Sequence, residues 1–198
     1  MEIKRFLKKL SSATPTPGGG SVSALAGALS ASLVAMVAGL SPNHKRMKEI
    51  KRKALVIQNR LLKAIDEDAR SFDGVMRAFR LPKNTEKERL ARTKAIQEAY
   101  RKATGIPQLV TLKSIKLLEY SYALILKGNP NAISDAGVAA FLADSALKGG
   151  LLNIGINSAP VRDQAFRKNM GLLAGKSEKR RKQLLEGIHK ALGKALTI

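Results

Sequence analysis

The chain has 198 residues, which fits one domain with enough apolar content to fill a core. It contains no cysteine, which excludes disulfides, thiolate metal sites and a thiol nucleophile. Lysines and arginines number 36 against 15 aspartates and glutamates, so the formal net charge is +21. Such a charge attracts polyanions, but the cations are spread along the chain and aromatic residues are sparse. This pattern favours a solvated surface, with an acidic small-molecule ligand, over a specific nucleic-acid reader.

A short amphipathic helix is predicted over residues 2–10, followed by a glycine-rich loop. Gly18, Gly19 and Gly20 follow a Pro-Thr-Pro segment, and their backbone can adopt positive φ or approach another surface closely. Ser21 then opens an apolar run, so we interpret the stretch as a loop that leads into a helix N-terminus. The free N–H groups of such a terminus suit an anionic or carbonyl-bearing ligand. The alternative is that the glycines only turn the chain.

Residues 22–40 contain no charged side chain and are rich in Ala, Gly and Ser. Their length is close to the roughly 20 apolar residues that span a bilayer. The composition is only mildly apolar, however, and the charged segment 1–12 is unlike a secretory leader. A helix with small residues all round is typical of one buried on every side. We therefore expect the central helix of a bundle, in a cytoplasmic protein.

A break at residues 41–43 and a long helix over 44–81 are predicted next. The apolar positions of this helix recur at spacings of three and four: Met47, Ile50, Ala54, Ile57, Leu61, Ile65, Phe72, Val75 or Met76, and Phe79. Between Ile65 and Phe72 the same spacing falls on Asp68, which places a carboxylate in the core-facing stripe. Asp66 projects elsewhere and is expected to pair with Arg70 one turn on.

Burial would raise the pKa of the Asp68 carboxyl, so that it holds or exchanges a proton near neutral pH, as acid–base catalysis requires. An aspartate satisfied by a buried cation or a backbone amide is the equal alternative.

The second half of the chain is predicted to be helical throughout. A helix over 86–104 begins with a capping box formed by Thr85 and Glu88, is interrupted at 105–107, and resumes to about residue 126. After a turn-rich loop at 127–131, Asn131 or Ser134 is expected to cap a helix in which Asp135 suits the helix dipole.

Gly149 and Gly150 loosen the pattern of that helix, and a last helical region with the basic run KSEKRRK follows residue 160. Asn153 and Asn157 stand one turn apart on an apolar face, where their amides need either each other and the backbone or a polar heterocycle as partners. Neither histidine has a ligand at i+4, so no metal site is predicted. No segment alternates as a strand does, and the fold class is therefore all-α, a helical bundle.

Five stretches occur in the order of a known family: TPTPGGGSVSALAGAL, IDEDARSF, MRAFRLPKNT, GNPNAISDAGVAA and NIGIN. With these motifs the chain resembles the formiminotetrahydrofolate cyclodeaminase and methenyltetrahydrofolate cyclohydrolase family. It is similar in particular to the C-terminal half of bifunctional formiminotransferase-cyclodeaminase and to stand-alone relatives. The resemblance runs from about residue 6 to the last helix.

The resemblance implies one helical domain over residues 1–198 that forms a homodimer and binds a tetrahydrofolate derivative, with no metal and no cofactor beyond that substrate. The motif IDEDARSF gives Asp68 the place of the family's catalytic aspartate, with Asp66 as the fallback. The family pattern also draws a set of residues toward the folate: Gly18, Gly19, Gly20, Ser21, Lys83, Asn129, Asn131, Asp135, Asn153 and Asn157. Lys83 and the surface cations are expected to hold the glutamate tail, which is polyglutamylated in some folates.

Three functions remain open at this point. The first is cyclodeamination of 5-formiminotetrahydrofolate to 5,10-methenyltetrahydrofolate with release of ammonia, a lyase reaction. The second is hydrolysis of 5,10-methenyltetrahydrofolate to 10-formyltetrahydrofolate. The third is a basic helical protein that associates with nucleic acid without catalysis, by non-specific contacts to phosphate.

Overall fold

The computed structural model describes residues 2–41 and 45–196. Within them lie six α-helices and one 3₁₀ turn, with no strand, as the sequence predicted. The helices are α1 (Ile3–Leu10), α2 (Gly19–Leu40), α3 (Lys45–Phe79), α4 (Glu86–Lys127), α5 (Ile133–Ser158) and α6 (Gln164–Leu196), and the 3₁₀ turn spans Pro130–Ala132. The predicted break at Pro42 and Asn43 and the predicted helix start at His44 lie outside the described residues.

Helix α2 packs against α3, α4 and α5 and lies at the centre of the bundle, as predicted. Its alanines and glycines let the neighbouring backbones come close. A Cβ built on Gly149 of α5 would lie 3.0 Å from the Cβ of Ser23, so only glycine permits the observed approach. The helix is not loosened at Gly149 and Gly150 as predicted. Both glycines lie within one continuous helix and pack closely against neighbouring helices.

The expectation that α2 is buried on every side is wrong for the single chain. One stripe along it is open to solvent, with exposed fractions of 38% at Val22, 44% at Leu29, 42% at Met36 and 56% at Leu40. Among the described helices, α2 is the one long and apolar enough to cross a membrane, yet 56% of its most apolar window is buried among the other helices. A helix packed inside a bundle passes that test by composition alone.

The interruption predicted at 105–107 is also wrong, because α4 runs unbroken through Pro107. Proline lacks an N–H, so the carbonyl of Ala103 one turn earlier has no partner in the helical ladder. The side-chain amide of Asn157 on α5 donates to that carbonyl at 3.2 Å. A tertiary hydrogen bond thus replaces the helical one, and the helix continues.

We expect Asn157→Ala to lower the free energy of unfolding by about 1–3 kcal/mol, because it leaves the carbonyl of the buried residue Ala103 unpaired. Asn153→Ala is the matched control, since the Asn153 amide donates at 2.8 Å to the carbonyl of Gly149, which lies within its own helix. Urea denaturation of both variants checks this. An equal loss in the two would contradict the proposed role of Asn157.

The cap predicted for α5 is wrong in detail. Neither Asn131 nor Ser134 caps the helix, whose N-cap position is Ala132 without a side-chain hydrogen bond. Asn129 instead organises this end of the bundle. Its Oδ1 accepts from the Asn131 N–H at 3.0 Å, and its Nδ2 donates to the carbonyl of Leu40 at 2.9 Å. The loop before α5 is therefore fixed to the C-terminal end of α2.

Part of the basic run KSEKRRK on α6 is used in ion pairs with neighbouring helices. Arg181, with 13% of its side chain exposed, pairs with Asp144 of α5 at 2.7 Å and with Glu178 of its own helix at 2.8 Å. Arg180 pairs with Glu119 of α4 at 2.8 Å. These contacts dock α6 on the bundle, so the run is more than the solvated face that the sequence indicated.

Candidate functional site

A cavity of about 420 Å³ opens where the N-terminus of α2 meets the C-terminal parts of α3 and α5 and the middle of α4. The chain before α2 closes one side, with Pro15 and Thr16. The polar groups that line it are Gly18, Gly19, Gly20, Asp68, Ser71, Asn153 and Asn157, and the apolar ones include Phe72, Val75, Met76, Phe79, Tyr100 and Ile156. The volume lies in the range of pockets that bind small molecules.

Asp68 lies directly against the first turn of α2. A Cβ built on Gly20 would be 2.6 Å from the Cγ of Asp68, which no real side chain tolerates. Gly20 is therefore needed for close approach. None of the glycines in the described part of the chain has positive φ, and α2 begins at Gly19, two residues before the predicted start at Ser21. The glycines are thus the N-cap and first turn of α2, rather than a turn in a separate loop.

Ser21 connects the carboxyl of Asp68 to the backbone of α3. Its Oγ lies 2.9 Å from the carbonyl of Ile65 and 3.0 Å from Oδ2 of Asp68. The hydroxyl has one proton and can donate to only one of these oxygens. When it donates to Ile65, the contact with Asp68 is a hydrogen bond only if the carboxyl itself carries a proton and donates it. The geometry therefore accommodates the neutral acid.

The electrostatic environment of Asp68 acts in the same direction. Burial raises the pKa of its carboxyl above the ordinary value, and the hydrogen bonds from the side chain and backbone of Ser21 oppose that rise without cancelling it. Asp66, two residues earlier, is exposed and faces away from the cavity. The predicted pair between Asp66 and Arg70 does not form, whereas Glu67 lies 2.8 Å from Arg60.

Aromatic and thioether side chains form the apolar wall of the cavity. Phe72, Met76 and Phe79 continue the core stripe of α3, but each is 38–40% exposed because the cavity lies beside them. Phe79 meets Tyr100 edge to face, with ring centroids 6.2 Å apart, and Arg92 stacks 5.6 Å from the Phe79 centroid. Arg92 also donates to the Phe79 carbonyl at 3.0 Å. This wall is held in place before any ligand arrives.

For Asn153 and Asn157 the structure shows the backbone partners that one of the two alternatives required. Both donate an N–H to a backbone carbonyl, those of Gly149 and Ala103, and both line the cavity. Each amide therefore uses one N–H for a backbone hydrogen bond, and its remaining polar atoms are available at the cavity. Their role in binding a polar heterocycle stays a prediction.

Other residues that the sequence placed near the site lie elsewhere in this chain. Lys83 is exposed in the connection between α3 and α4 and does not line the cavity. Asn129, Asn131 and Asp135 lie at the opposite end of α5, about 30 Å from Asn153, since 20 residues of α-helix separate the two ends. The role of these four residues in binding stays a prediction.

Tyr100, Ser71 and Ile156 line the cavity, although the sequence analysis did not single them out. The sequence could have indicated Ile156, because it lies next to Asn157 and one helical turn from Asn153. In residues 2–41 and 45–196 no three His, Cys, Asp or Glu side chains are grouped in a way that could hold a metal ion.

Comparisons with known proteins agree with the motifs. The profile of the family described as formiminotransferase-cyclodeaminase matches residues 2–172. A methenyltetrahydrofolate cyclohydrolase of Methylorubrum extorquens is 38% identical over 171 residues, which cover 83% of this chain and 82% of that protein. The formimidoyltransferase-cyclodeaminase of Rattus norvegicus is 30% identical over 172 residues, and the matched region is 32% of its length.

Among solved structures, a formiminotetrahydrofolate cyclodeaminase from Thermotoga maritima superimposes with a TM-score of 0.88 at 26% identity. The match covers 99% of this chain and 98% of that one. The match of sequence profile, relatives and whole-chain fold means that the chain belongs to the formiminotransferase-cyclodeaminase family.

Proposed function

We propose that this protein is a folate one-carbon enzyme and that Asp68 moves the proton at the reacting carbon. The observation that supports this most is the half-buried Asp68 carboxyl against Gly20 and Ser21, with two fixed asparagine amides in the same cavity. The relatives named as cyclohydrolase and cyclodeaminase supply the substrate class. The aromatic wall and the amides suit the flat pterin ring of such a substrate.

In the cyclodeaminase reaction, N10 of the folate attacks the formimino carbon carried on N5. N10 loses its proton to the imine nitrogen as the tetrahedral centre forms, and this centre expels ammonia only after a second proton reaches that leaving nitrogen. Asp68 in its neutral form delivers that proton as a general acid. The product is 5,10-methenyltetrahydrofolate, and the buried carboxylate left behind recovers a proton before the next cycle.

In the cyclohydrolase reaction, water adds to the methenyl carbon of 5,10-methenyltetrahydrofolate. Asp68 as carboxylate takes a proton from the water and then returns it to N5 as the bond from that nitrogen to the carbon breaks. The hydroxyl of the tetrahedral centre loses its own proton to bulk water as its oxygen becomes the formyl carbonyl, which gives 10-formyltetrahydrofolate and one released proton. Both reactions pass through a tetrahedral centre at the same carbon. One carboxyl in one position therefore serves either of them.

The relatives support the two reactions equally for this chain. The cyclohydrolase relative shares more identity and a similar length, whereas the structural relative that matches the whole chain is named a cyclodeaminase. A side-by-side assay separates them. We expect at least one of two results in separate assays. Methenyltetrahydrofolate absorbance rises, with release of ammonia, when the substrate is 5-formiminotetrahydrofolate. The absorbance falls, without ammonia, when the substrate is 5,10-methenyltetrahydrofolate. Absence of turnover with both folates, in protein shown to be folded, would refute the proposed function.

We also propose that the protein is a homodimer formed through the open face of α2. That helix has no charged residue, in a chain of net charge +21. Beside it α5 exposes further uncharged residues: Val138, Ser145, Leu152 and Ile156. They lie on the α2 side of α5, because Ala146 and Gly149, a fraction of a turn away, contact Gly27 and Ser23 of α2.

The size of this face suits a second copy of the chain. A helix of 22 residues is about 33 Å long, and with α5 beside it the face is about 20 Å wide. The area is then roughly 660 Å², close to the roughly 800 Å² per partner of a stable interface. Two strongly positive chains repel each other at a charged surface, so an uncharged face is where they can meet.

A further inference from the structure

We propose that Arg92 is a positioning residue, which sets the affinity of the cavity for a flat ring by holding the ring of Phe79 in the cavity wall. Arg92 does not itself line the cavity, whereas Phe79 does. The inference deepens the proposed function and rests on it for the identity of the bound ring, which is the pterin of a folate.

Phe79 stands at a place in the fold where a side chain is poorly held. It is the last residue of α3, and the last carbonyls of a helix have no N–H partner in the helical ladder. The next two N–H groups along the chain donate to the carbonyls of Arg77 and Ala78, so neither of them reaches the Phe79 carbonyl. A ring at such a terminus moves with the fraying helix unless a neighbour fixes it.

Arg92 fixes Phe79 through both its charge and its shape. Its Nε and Nη2 donate to the Phe79 carbonyl at 3.2 and 3.0 Å. The carbon of the same guanidinium lies 5.6 Å from the centroid of the Phe79 ring, within the range of a cation–π contact. One half-buried side chain thus holds the backbone and the ring of the same residue. Lysine cannot replace it, because an ammonium has neither the planar fork nor a flat face that stacks.

The position of Arg92 is itself fixed by the start of α4. It lies in the second turn of that helix, after the capping box of Thr85 and Glu88. Tyr100, about two turns further along α4, meets the Phe79 ring edge to face with centroids 6.2 Å apart. Arg92 and Tyr100 therefore hold the ring from two places on one helix, and the wall is preorganised for a flat ligand.

Arg89 offers a matched comparison one helical turn earlier. Its Nη1 donates to the carbonyls of Lys83 and Asn84 at 3.5 and 3.2 Å, so it also joins α4 to the backbone that follows α3. Neither of those two residues lines the cavity. The two arginines therefore make the same kind of backbone contact, but only Arg92 makes it to a residue of the cavity wall.

Loss of Arg92 should weaken substrate binding and leave the chemical step intact. The Phe79 ring contacts the pterin equally before and during the reaction, and such uniform interactions act on KM alone. The proton is moved by Asp68, which contacts α2 and not Arg92. We expect Arg92→Ala to raise KM about tenfold, with kcat within about twofold of the wild type, and Arg92→Lys to recover little of the loss.

Steady-state kinetics with the folate that is turned over measures these effects, with Arg89→Ala as the control. Arg89→Ala removes two backbone contacts of the same connection and should keep KM near the wild-type value. A wild-type KM in Arg92→Ala would overturn the inference. The same rise of KM in Arg89→Ala, or a loss confined to kcat in Arg92→Ala, would overturn it as well.

A double-mutant cycle separates an action through Phe79 from a direct attraction between the Arg92 charge and an anionic substrate. Phe79→Leu removes the ring and keeps an apolar side chain. In that background Arg92→Ala should raise KM by less than about twofold, because the two residues act as one unit. If the two effects multiply instead, Arg92 acts on the substrate through its charge, and the positioning role is refuted.

Hydrogen exchange of the ligand-free protein tests the contact without any substrate. We expect the amides of residues 77–81 to exchange at least about fivefold faster in Arg92→Ala than in the wild type, because the end of α3 frays more often, with a smaller change in Arg89→Ala. Unchanged exchange would overturn the inference whatever the activity. A wild-type protein inactive on both folates would refute the proposed function alone, since the exchange is measured independently of it.

Discussion

Asp68→Asn is expected to lower kcat by about 10²–10⁴-fold, the usual contribution of a positioned acid or base. Asparagine keeps the volume and the contact with Ser21 but has no titratable proton, so the loss reports proton transfer rather than packing. Steady-state assays with both folates measure it, and circular dichroism checks that the helices persist. Asp66→Asn is the matched control, because Asp66 is exposed and outside the cavity. Full activity in Asp68→Asn with an inactive Asp66→Asn would reverse the assignment.

The same variant has a predictable effect on stability. Burial raises the folded-state pKa of Asp68 above its unfolded value, so the folded protein binds more protons in the window between the two. Stability from this group is therefore fully present below the unfolded pKa of about 4 and decreases as the pH rises through the folded pKa. Asp68→Asn removes that decrease. We expect its free energy of unfolding, relative to the wild type, to rise with pH across this window, and a difference that stays flat would show that the carboxyl is not perturbed.

Gly20→Ala is expected to lower kcat about 10²-fold in a protein that still folds. The added Cβ would lie 2.6 Å from the Cγ of Asp68, so the carboxyl has to shift by about 1 Å, a displacement that costs roughly this factor when a reacting group is misplaced. Alanine is a better helix former than glycine, so α2 itself is not weakened. Thermal unfolding and kcat of the variant are the two measurements.

Gly19→Ala provides the control for that prediction. A Cβ at this position is 3.9 Å from Nδ2 of Asn153, an ordinary van der Waals distance. It is one residue away in the same helical turn, so general effects on the helix N-terminus are shared by both variants. Gly19 lines the cavity but does not touch Asp68, so a much smaller loss of kcat in Gly19→Ala than in Gly20→Ala supports the close contact with Asp68. Equal losses would place the effect in the helix terminus instead.

The helices were largely predictable because each signal for them is local. Apolar residues spaced by three and four define α3, and the Thr85–Glu88 capping box at the start of α4 is present as predicted, with the Thr85 side chain accepting from the Glu88 N–H. The same periodicity placed Asp68 on the face that turns toward α2. The presence of a carboxyl group in the apolar stripe could therefore be predicted from the sequence.

The continuation of α4 through Pro107 could not be predicted from the sequence. It depends on a hydrogen bond from Asn157 to the carbonyl of Ala103, which is 54 residues away in the chain. The exposure of Phe72 and Phe79 likewise follows from the cavity next to them, since their spacing in the sequence is that of core residues. In both cases a distant segment changed what the local pattern indicated. Asn129 belongs to the same class, because its partner is the end of α2.

The sequence by itself determined the all-helical class, the uncharged helix and the acid on its neighbour, because periodicity and composition are properties of one segment at a time. Only the tertiary structure decided that Gly20 touches Asp68, that the Ser21 hydroxyl lies within hydrogen-bond distance of two oxygens, and that one side of α2 stays open. These are distances between segments, and they depend on how close small residues let two backbones come, which no single segment encodes.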